Sequence, residues 1–294
     1  MDQLLQALVN GLLLGGFYGV MVLGFSVIWG VMGVINLAHG EFVMIGAYFA
    51  WVLNRSLGID PFLSLIVIMP VMFFVGWLLQ RVLINRIVER PHLIALLVTF
   101  GLSIALANLF KLFFTADPRT VPVSYNGSFE LAGLTFPIVK TIVFGLSLVV
   151  MLALHIFLQY TRLGKSIRAA AQNKEAARIV GVEVGRVYAI TFGICIALTA
   201  AAGAMVSTTI PVFPFMGPPF TLKAFTITAL GGLGRIPGAL LGGIILGVVE
   251  TLVAIMVPGV GTNLGIATSF VLLVVILIVR PQGLLKGLRP MEVT

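Results

Sequence analysis

The sequence predicts an all-α, polytopic integral membrane protein with eight to ten transmembrane helices, some of them broken by Gly and Pro. Of its 294 residues, 60% are hydrophobic and only 10% are charged, and the mean hydropathy is +1.15. These values lie well outside the range of soluble domains. A spanning helix needs about 20 residues, so many crossings fit and little chain is left over. We therefore expect a single transmembrane domain over residues 1–294.

Nine apolar runs, each ended by charged or turn-forming residues, are the candidate spans. Two of them, 41–54 and 217–232, are too short to cross a bilayer alone unless they continue into irregular flanks, so the expected count is eight to ten. The N-terminus has no basic region or cleavage site, and we expect a retained first helix rather than a signal peptide. The nine runs lie near residues 6–30, 41–54, 62–84, 93–114, 138–158, 187–210, 217–232, 237–256 and 262–279.

Lys and Arg concentrate in three hydrophilic segments. Residues 81–92 carry three Arg, residues 161–186 carry six of the 18 Lys and Arg residues, and the C-terminal tail carries Arg280, Lys286 and Arg289. The positive-inside rule places all three segments in the cytoplasm. The net charge of +8 therefore follows from membrane orientation, and no nucleic acid partner is expected.

Two other connecting segments are predicted to lie outside. Residues 115–137 are rich in turn formers and have one basic residue. Residues 211–219 have four prolines and no charge, which suits an ordered outer loop or a re-entrant turn. With nine crossings the N-terminus is outside and the C-terminus inside. An even count would move only the N-terminus.

The basic loop 161–186 is expected to hold one or two short helices. Ser166 to Ile179 is rich in helix formers, Asn173 is placed to cap a second helix, and Gly181 is placed to stop it. The loop is Ala-rich and has no aromatic residue, which favours docking against another protein. Anchoring to anionic membrane lipid is the alternative.

Glycine patterns carry two further predictions. Residues 30–46 and 231–247 are both Gly-rich interruptions between apolar runs, and paired interruptions in two halves point to a translocation site in a transporter. The alternative is that Gly merely punctuates membrane helices. Spacings of four residues predict close helix packing. They occur at Gly11, Gly15 and Gly19, at Gly238 and Gly242, and at Gly243 and Gly247.

Five polar residues near predicted spans are the candidates for a translocation pathway. Asn36, His39 and Glu41 form one cluster, Lys223 is expected near the outer mouth, and Glu250 is expected to pair with a polar group in the interior. A charge in the bilayer centre costs about 2.5–3.5 kcal/mol or more unless it meets water or a partner. The competing interpretation of the first cluster is structural, because a broken helix leaves backbone groups that Asn and His can satisfy.

The sequence gives no sign of chemistry on this chain. Gly164-Lys165-Ser166 imitates the end of a phosphate-binding loop, but Gln159 stands where its first Gly would be. The three His residues have no metal-ligand spacing with Cys195, the single cysteine. No catalytic set, metal or cofactor is predicted, so we expect the protein not to be an enzyme.

A motif in the basic loop 161–186 resembles the signature of a known family. Glu175 to Gly181 reads EAA-x-x-x-G, which resembles the cytoplasmic loop signature of bacterial ABC importer permeases. The Ile-x-Leu-Pro ending of the fuller signature is absent. Three further motifs occur in order, INLAHGE at 35–41, GGLGRIPGA at 231–239 and RPQG at 280–283. With Thr161-Arg162-Leu163-Gly164 they look like the permease family of the high-affinity branched-chain amino-acid ABC transporters, over nearly the whole chain.

The resemblance implies an ABC importer permease fold in the bacterial inner membrane. Its implied partners are two ATP-binding subunits, a second related permease and a periplasmic substrate-binding protein. ATP binding would close the two ATP-binding subunits and move the helices of the cytoplasmic coupling loop 161–186. Branched-chain or similar amino acids would then be translocated with ATP hydrolysed on the partners. The residues expected to couple to the ATPase are Gly164, Arg168, Glu175, Ala176, Ala177 and Gly181.

Several alternatives stay open at this point. Related permeases for urea and short amides share a motif like INLAHGE, so the substrate is less secure than the architecture. A stand-alone secondary carrier needs no ATPase, although such carriers usually hold several ionisable residues in their spans. The second permease could be identical or a paralogue, and the resemblance implies a paralogue.

Overall fold

The computed structural model describes residues 2–232, 234, 236–257, 261–280 and 283–284. Most of these residues are α-helical, which confirms the predicted all-α class. The other regular elements are a short β-hairpin and a 3₁₀ turn at Ile84–Arg86. The hairpin pairs β1 (Ser128–Leu131) with β2 (Leu134–Pro137). The helices are α1 (Asp2–Met32), α2 (His39–Leu57), α3 (Leu65–Val82), α4 (His92–Phe114), α5 (Ile138–Tyr160), α6 (Arg162–Gln172), α7 (Lys174–Ile179), α8 (Val184–Val206), α9 (Gly217–Gly231), α10 (Ile236–Met256) and α11 (Gly261–Val279).

Each of the nine predicted apolar runs corresponds to one helix of the structure. Among the described residues, six helices are long and apolar enough to cross a membrane by length and composition, namely α1, α3, α4, α5, α8 and α10. The other three are α2, α9 and α11. At 15 residues, α9 is shorter than the roughly 20 that a full crossing requires, as the sequence predicted for its run. Leu233, Arg235, Pro281, Gln282, Lys286 and Arg289 of the predicted motifs and tail lie outside the described residues.

Small residues allow the buried helices to approach closely. Helix α8 is buried along most of its length and crosses α2, where a methyl group on Gly46 would overlap the Ala200 carbonyl and one on Gly203 would overlap the Val43 carbonyl. Interfaces of this kind are favoured in membranes because apolar side chains gain little by leaving lipid, so close van der Waals contact drives association.

The four-residue glycine spacing predicted close packing, and the structure shows it within the chain. On α1, Gly11 and Gly15 contact the backbone of α10, while Gly243 and Gly247 of α10 contact the backbone of α1. The two helices are therefore held together at a glycine seam that runs along their length.

The connections between helices divide into two ends of the bundle. At one end, Gln6 donates to the Thr135 carbonyl over 2.7 Å and accepts from the Thr135 amide over 2.8 Å, and Arg119 pairs with Val212. At the other end, Glu89 contacts Arg178. The basic segments 81–92 and 161–186 thus share one end, and the two segments poor in basic residues share the other. Which end faces the cytoplasm stays a prediction.

Candidate functional site

A buried ion pair lies near the middle of the helix bundle. The Lys223 ammonium on α9 donates to Glu250 Oε1 on α10 over 2.6 Å, and Tyr18 on α1 donates to Glu250 Oε2 over 2.6 Å. Lys223 Nζ also lies 2.5 Å from the Tyr18 hydroxyl. The prediction that Glu250 meets an interior polar group is confirmed. We call these three residues the central triad.

The central triad is enclosed and apolar groups surround it. The Lys223 and Glu250 side chains are 11% and 13% exposed, and Phe220 packs edge-on against Phe17 beside Tyr18. Both carboxylate oxygens of Glu250 are occupied, so the carboxylate is held in one position.

The central triad lies deeper than the sequence placed it. Tyr18 is near the midpoint of α1, which has 31 residues and a length of about 46 Å. Lys223 contacts Tyr18, so Lys223 lies well inside the bundle rather than at the outer mouth. The cause is that α9 begins inside the bundle at Gly217, next to the Glu41 carboxylate.

Asn36 and His39 fix the irregular segment between α1 and α2. Asn36 Oδ1 accepts from the Ala38 amide over 3.1 Å, and His39 Nε2 donates to the Met21 carbonyl over 2.9 Å. These contacts to backbone groups support the structural interpretation of the cluster. Asn36 Nδ2 and His39 Nδ1 nevertheless have no hydrogen-bond partner among the described residues.

Glu41 is fully buried on the first turn of α2. Its Oε1 accepts from Ser103 on α4 over 2.9 Å, and its Oε2 has no partner among the described residues. A methyl group on Gly217 would lie 2.5 Å from Glu41 Cδ, so the start of α9 is packed directly on the carboxyl group.

Helix α9 joins this cluster to the central triad. Thr221 Oγ1 accepts from the Gly40 amide over 2.8 Å and donates to the Leu37 carbonyl over 3.3 Å, and Lys223 follows two residues later. The five predicted pathway residues therefore form two groups that α9 contacts, with Asn36, His39 and Glu41 in one and Lys223 and Glu250 in the other. Thr221 and Lys223 face different sides of α9, because residues two positions apart on a helix do not share a face. Sequence reasoning missed Tyr18, Ser103 and Thr221, because a single hydroxyl in an apolar run carries no signal of what it will contact.

The basic loop 161–186 forms two capped helices, as the sequence predicted. The Thr161 hydroxyl accepts from the Gly164 amide over 2.9 Å and starts α6. Asn173 Oδ1 accepts from the amides of Glu175 and Ala176, both over 3.0 Å, and starts α7. Gly181 has a φ of +85°, which favours glycine and ends the motif.

The structure corrects the expected contact surface at two positions. Gly164 and Ala177 are buried within this chain and present no surface to a partner. A methyl group on Gly164 would overlap the Phe157 carbonyl, so this glycine lets α6 fold back on the end of α5. The Arg168 guanidinium donates hydrogen bonds to Gln159 and so also holds α6 against the end of α5.

The exposed part of the loop has a different composition from the one predicted. Glu175, Ala176 and Gly181 are exposed, but the most exposed apolar side chains there are Ile179 at 86% and Val180 at 76%. Sequence reasoning placed Ile179 at the end of a helical stretch and Val180 inside the motif, and gave neither residue a contact role. Large apolar side chains in a basic loop were the available signal. We call Glu175, Ala176, Ile179, Val180 and Gly181 the coupling surface.

Ion pairs brace α7 against the connection between α3 and α4. Arg178 contacts Glu89 over 3.1 Å and Glu175 over 3.1 Å, and Lys174 lies 3.8 Å from Glu89. The hydrogen bond to Glu89 and the nearby Glu175 carboxylate raise the pKa of Arg178. All four side chains are about half exposed, so the pairs orient the helix more than they stabilise the fold.

Two cavities border α6. One of about 430 Å³ also borders His155 and Arg168, and another of about 450 Å³ also borders His92 and Tyr188. Both linings include Ala171 and Gln172, so open space lies next to the C-terminal part of α6. Among the described residues, no group of three or more His, Cys, Asp and Glu side chains is arranged to hold a metal ion.

Comparison with known proteins identifies similar chains. The family model described as the permease component of branched-chain amino acid transport systems matches residues 7–280. The high-affinity branched-chain amino acid transport system permease protein LivH of Salmonella typhimurium is 35% identical over 96% of this chain and 95% of the relative. LivH of Escherichia coli is 34% identical over the same shares. BraD of Pseudomonas aeruginosa, with the same description, is 32% identical over 96% and 95%.

A solved structure shares the fold. PsaBC from Streptococcus pneumoniae in complex with Fab aligns with a TM-score of 0.52 at 13% identity, covering 93% of this chain and 91% of that one. The relatives and the apolar helices together show that this chain is a multi-pass membrane protein.

Proposed function

The chain belongs to the permease family of branched-chain amino acid transport systems, and we propose that it is a permease subunit of an ATP-driven importer in the bacterial inner membrane. The substrate would be a branched-chain or similar amino acid. The observation that carries the proposal is 35% identity to a high-affinity branched-chain amino acid permease over 96% of the chain.

The coupling surface is the proposed contact with an ATP-binding subunit. It combines an exposed apolar pair, Ile179 and Val180, with the charged Glu175. An apolar centre with a polar rim is the usual composition of a protein interface. Closure of the ATP-binding subunits on binding ATP would move this surface.

Movement of the coupling surface would reach the spans through two rigid connections. The close approach of Gly164 to Phe157 and the bonds between Arg168 and Gln159 join α6 to α5. Only Val180 to Glu183 separate α7 from α8, which packs on α1, α2 and α3. The cavities beside α6 leave room for it to tilt. A tilt of α5 and α8 would open the bundle alternately to each side.

The proposed translocation pathway passes the two polar groups that α9 contacts. These groups hold Asn36, His39, Glu41, Lys223 and Glu250 near the middle of the spans, where transporter sites commonly lie next to broken helices. The hairpin end is the proposed docking side for a periplasmic substrate-binding protein, and a second permease subunit would complete the pathway.

Reconstitution tests the proposal. The chain would be assembled in proteoliposomes with its second permease, its ATP-binding subunits and the cognate binding protein, and uptake of labelled leucine would be measured. Uptake that requires both ATP and the binding protein is expected. Uptake by this chain alone under an ion gradient would instead indicate a secondary carrier, and ATP-driven uptake of urea without leucine uptake would indicate the amide-transporting relatives.

A further inference from the structure

The central triad is not explained by stability alone. Removing two charges from water costs several kcal/mol per ion, and a buried pair is often no more stabilising than well-packed apolar side chains. A charge pair inside membrane spans is therefore a candidate for function. Lys223 and Glu250 are also the only described Lys–Glu pair with both side chains under one-seventh exposed.

The pair has the charge pattern that a zwitterion complements. One ammonium and one carboxylate lie 2.6 Å apart, and an α-amino acid carries one of each on neighbouring atoms. If the two side chains separate, Lys223 can bind the substrate carboxylate while Glu250 binds the substrate ammonium. Each buried charge then keeps an opposite partner with and without substrate, so no uncompensated charge forms at either stage.

We propose that the central triad is the subsite that recognises the α-ammonium and α-carboxylate groups of the substrate during translocation. This inference rests on the proposed function. Tyr18 has a positioning role, because its hydroxyl bonds both charged groups and can keep Glu250 in place when Lys223 moves. Phe17 and Phe220 supply an apolar surface nearby, suited to an aliphatic side chain.

The flexibility of the Lys223 side chain supports this role. Helices α9 and α10 are held together by backbone contacts, since a methyl group on Gly231 would overlap the Gly238 carbonyl and one on Gly238 would overlap the Gly231 carbonyl. Glu250 is in turn packed at its carboxylate by Gly265. The flexible four-carbon stem of a lysine therefore lets the Lys223 ammonium leave Glu250 while the two helices keep their packing.

Removing the two charges singly and together distinguishes substrate recognition from a purely structural role of the ion pair. The variants are Lys223→Met, Glu250→Gln and the double variant, all in the complete transporter in proteoliposomes. The control is Thr228→Val on the same helix, because the Thr228 hydroxyl is buried without a partner among the described residues. Leucine uptake, assembly with the ATP-binding subunits and thermal unfolding of the complex are measured for each.

Each single variant leaves one buried charge unpaired, so both stability and uptake should fall. In the double variant no charge remains, so assembly and the unfolding temperature should recover. Uptake should stay about ten- to a hundredfold below wild type, since hydrogen bonds to charged groups are lost. Thr228→Val should transport normally.

Recovery of wild-type uptake in the double variant would overturn the inference and show that the pair only joins helices. If the double variant does not assemble, Glu250→Asp is used instead to test recognition, because it keeps the negative charge and shortens the side chain. Lower uptake at an unchanged unfolding temperature would support recognition, and any other result with this variant would overturn it. Failure of the wild-type complex to import leucine would refute the proposed function instead.

Discussion

Truncation of the exposed apolar pair on the coupling surface should weaken binding of the ATP-binding subunit. Ile179 is 86% exposed and Val180 is 76% exposed, so both have nearly all their apolar surface available for burial in a complex. The perturbations are Ile179→Ala, Val180→Ala and the two together.

The magnitude follows from the carbon atoms removed. At about 0.8 kcal/mol per buried CH₂, Ile179→Ala removes three carbons and, scaled by its exposure, costs about 2 kcal/mol. Val180→Ala removes two carbons and costs about 1.2 kcal/mol by the same rule. A change of 1.4 kcal/mol corresponds to a tenfold change in affinity. The dissociation constant should therefore rise roughly 30-fold for Ile179→Ala, roughly 7-fold for Val180→Ala and roughly 200-fold for the double variant. These figures are upper bounds, since they assume complete burial.

The assay is titration of the ATP-binding subunit onto the permease complex in nanodiscs. Leu131→Ala is the matched control, because Leu131 is 63% exposed but lies on the hairpin at the opposite end. The control should bind as wild type does. A double variant that binds within twofold of wild type would refute the assignment of the coupling surface.

Three further variants test other parts of the structure. Ala176→Trp places a large side chain on the coupling surface, so uptake should be abolished while membrane insertion and capture of the binding protein persist; unimpaired uptake would count against the assignment. Glu89→Arg should reduce coupled ATP hydrolysis severalfold, with little change in unfolding temperature because the Glu89–Arg178 pair is half exposed. Adding Arg178→Glu in the same chain should restore hydrolysis, and a failure to do so would argue against a role of this ion pair in orienting α7. Tyr125→Phe removes the 2.6 Å hydrogen bond to Asp60 and should lower stability by about 1 kcal/mol in thermal unfolding. Burial and that bond raise the pKa of Tyr125, so the contribution should be complete below about pH 10 and lost at higher pH, and a variant of wild-type stability would show that the bond is unimportant.

Features that depend on local sequence were predictable. The nine apolar runs gave the long helices, since length and hydropathy are local properties. The cap at Asn173 and the stop at Gly181 were predictable for the same reason, because each residue acts on backbone within its own turn.

Features that depend on distant packing were not predictable. The sequence marked Lys223 and Glu250 as polar, but Tyr18 joins them only because α1 packs on α10, and it is 232 positions from Glu250. The role of Gly164 was also misjudged, because its motif position suggested an exposed contact while the chain reversal between α5 and α6 buries it. Sequence patterns marked the polar and motif positions but did not show which surface each residue faces.

Site-directed thiol labelling measures which end of the bundle is accessible from each side of the membrane. It therefore tests whether the coupling surface lies on the side where an ATP-binding subunit can reach it. The one native cysteine, Cys195, is buried, so single cysteines at Val180→Cys and Leu131→Cys can be followed with a membrane-impermeant maleimide. In right-side-out vesicles we expect labelling at position 131 and none at position 180, with the reverse in inside-out vesicles. Labelling of position 180 from outside would contradict it.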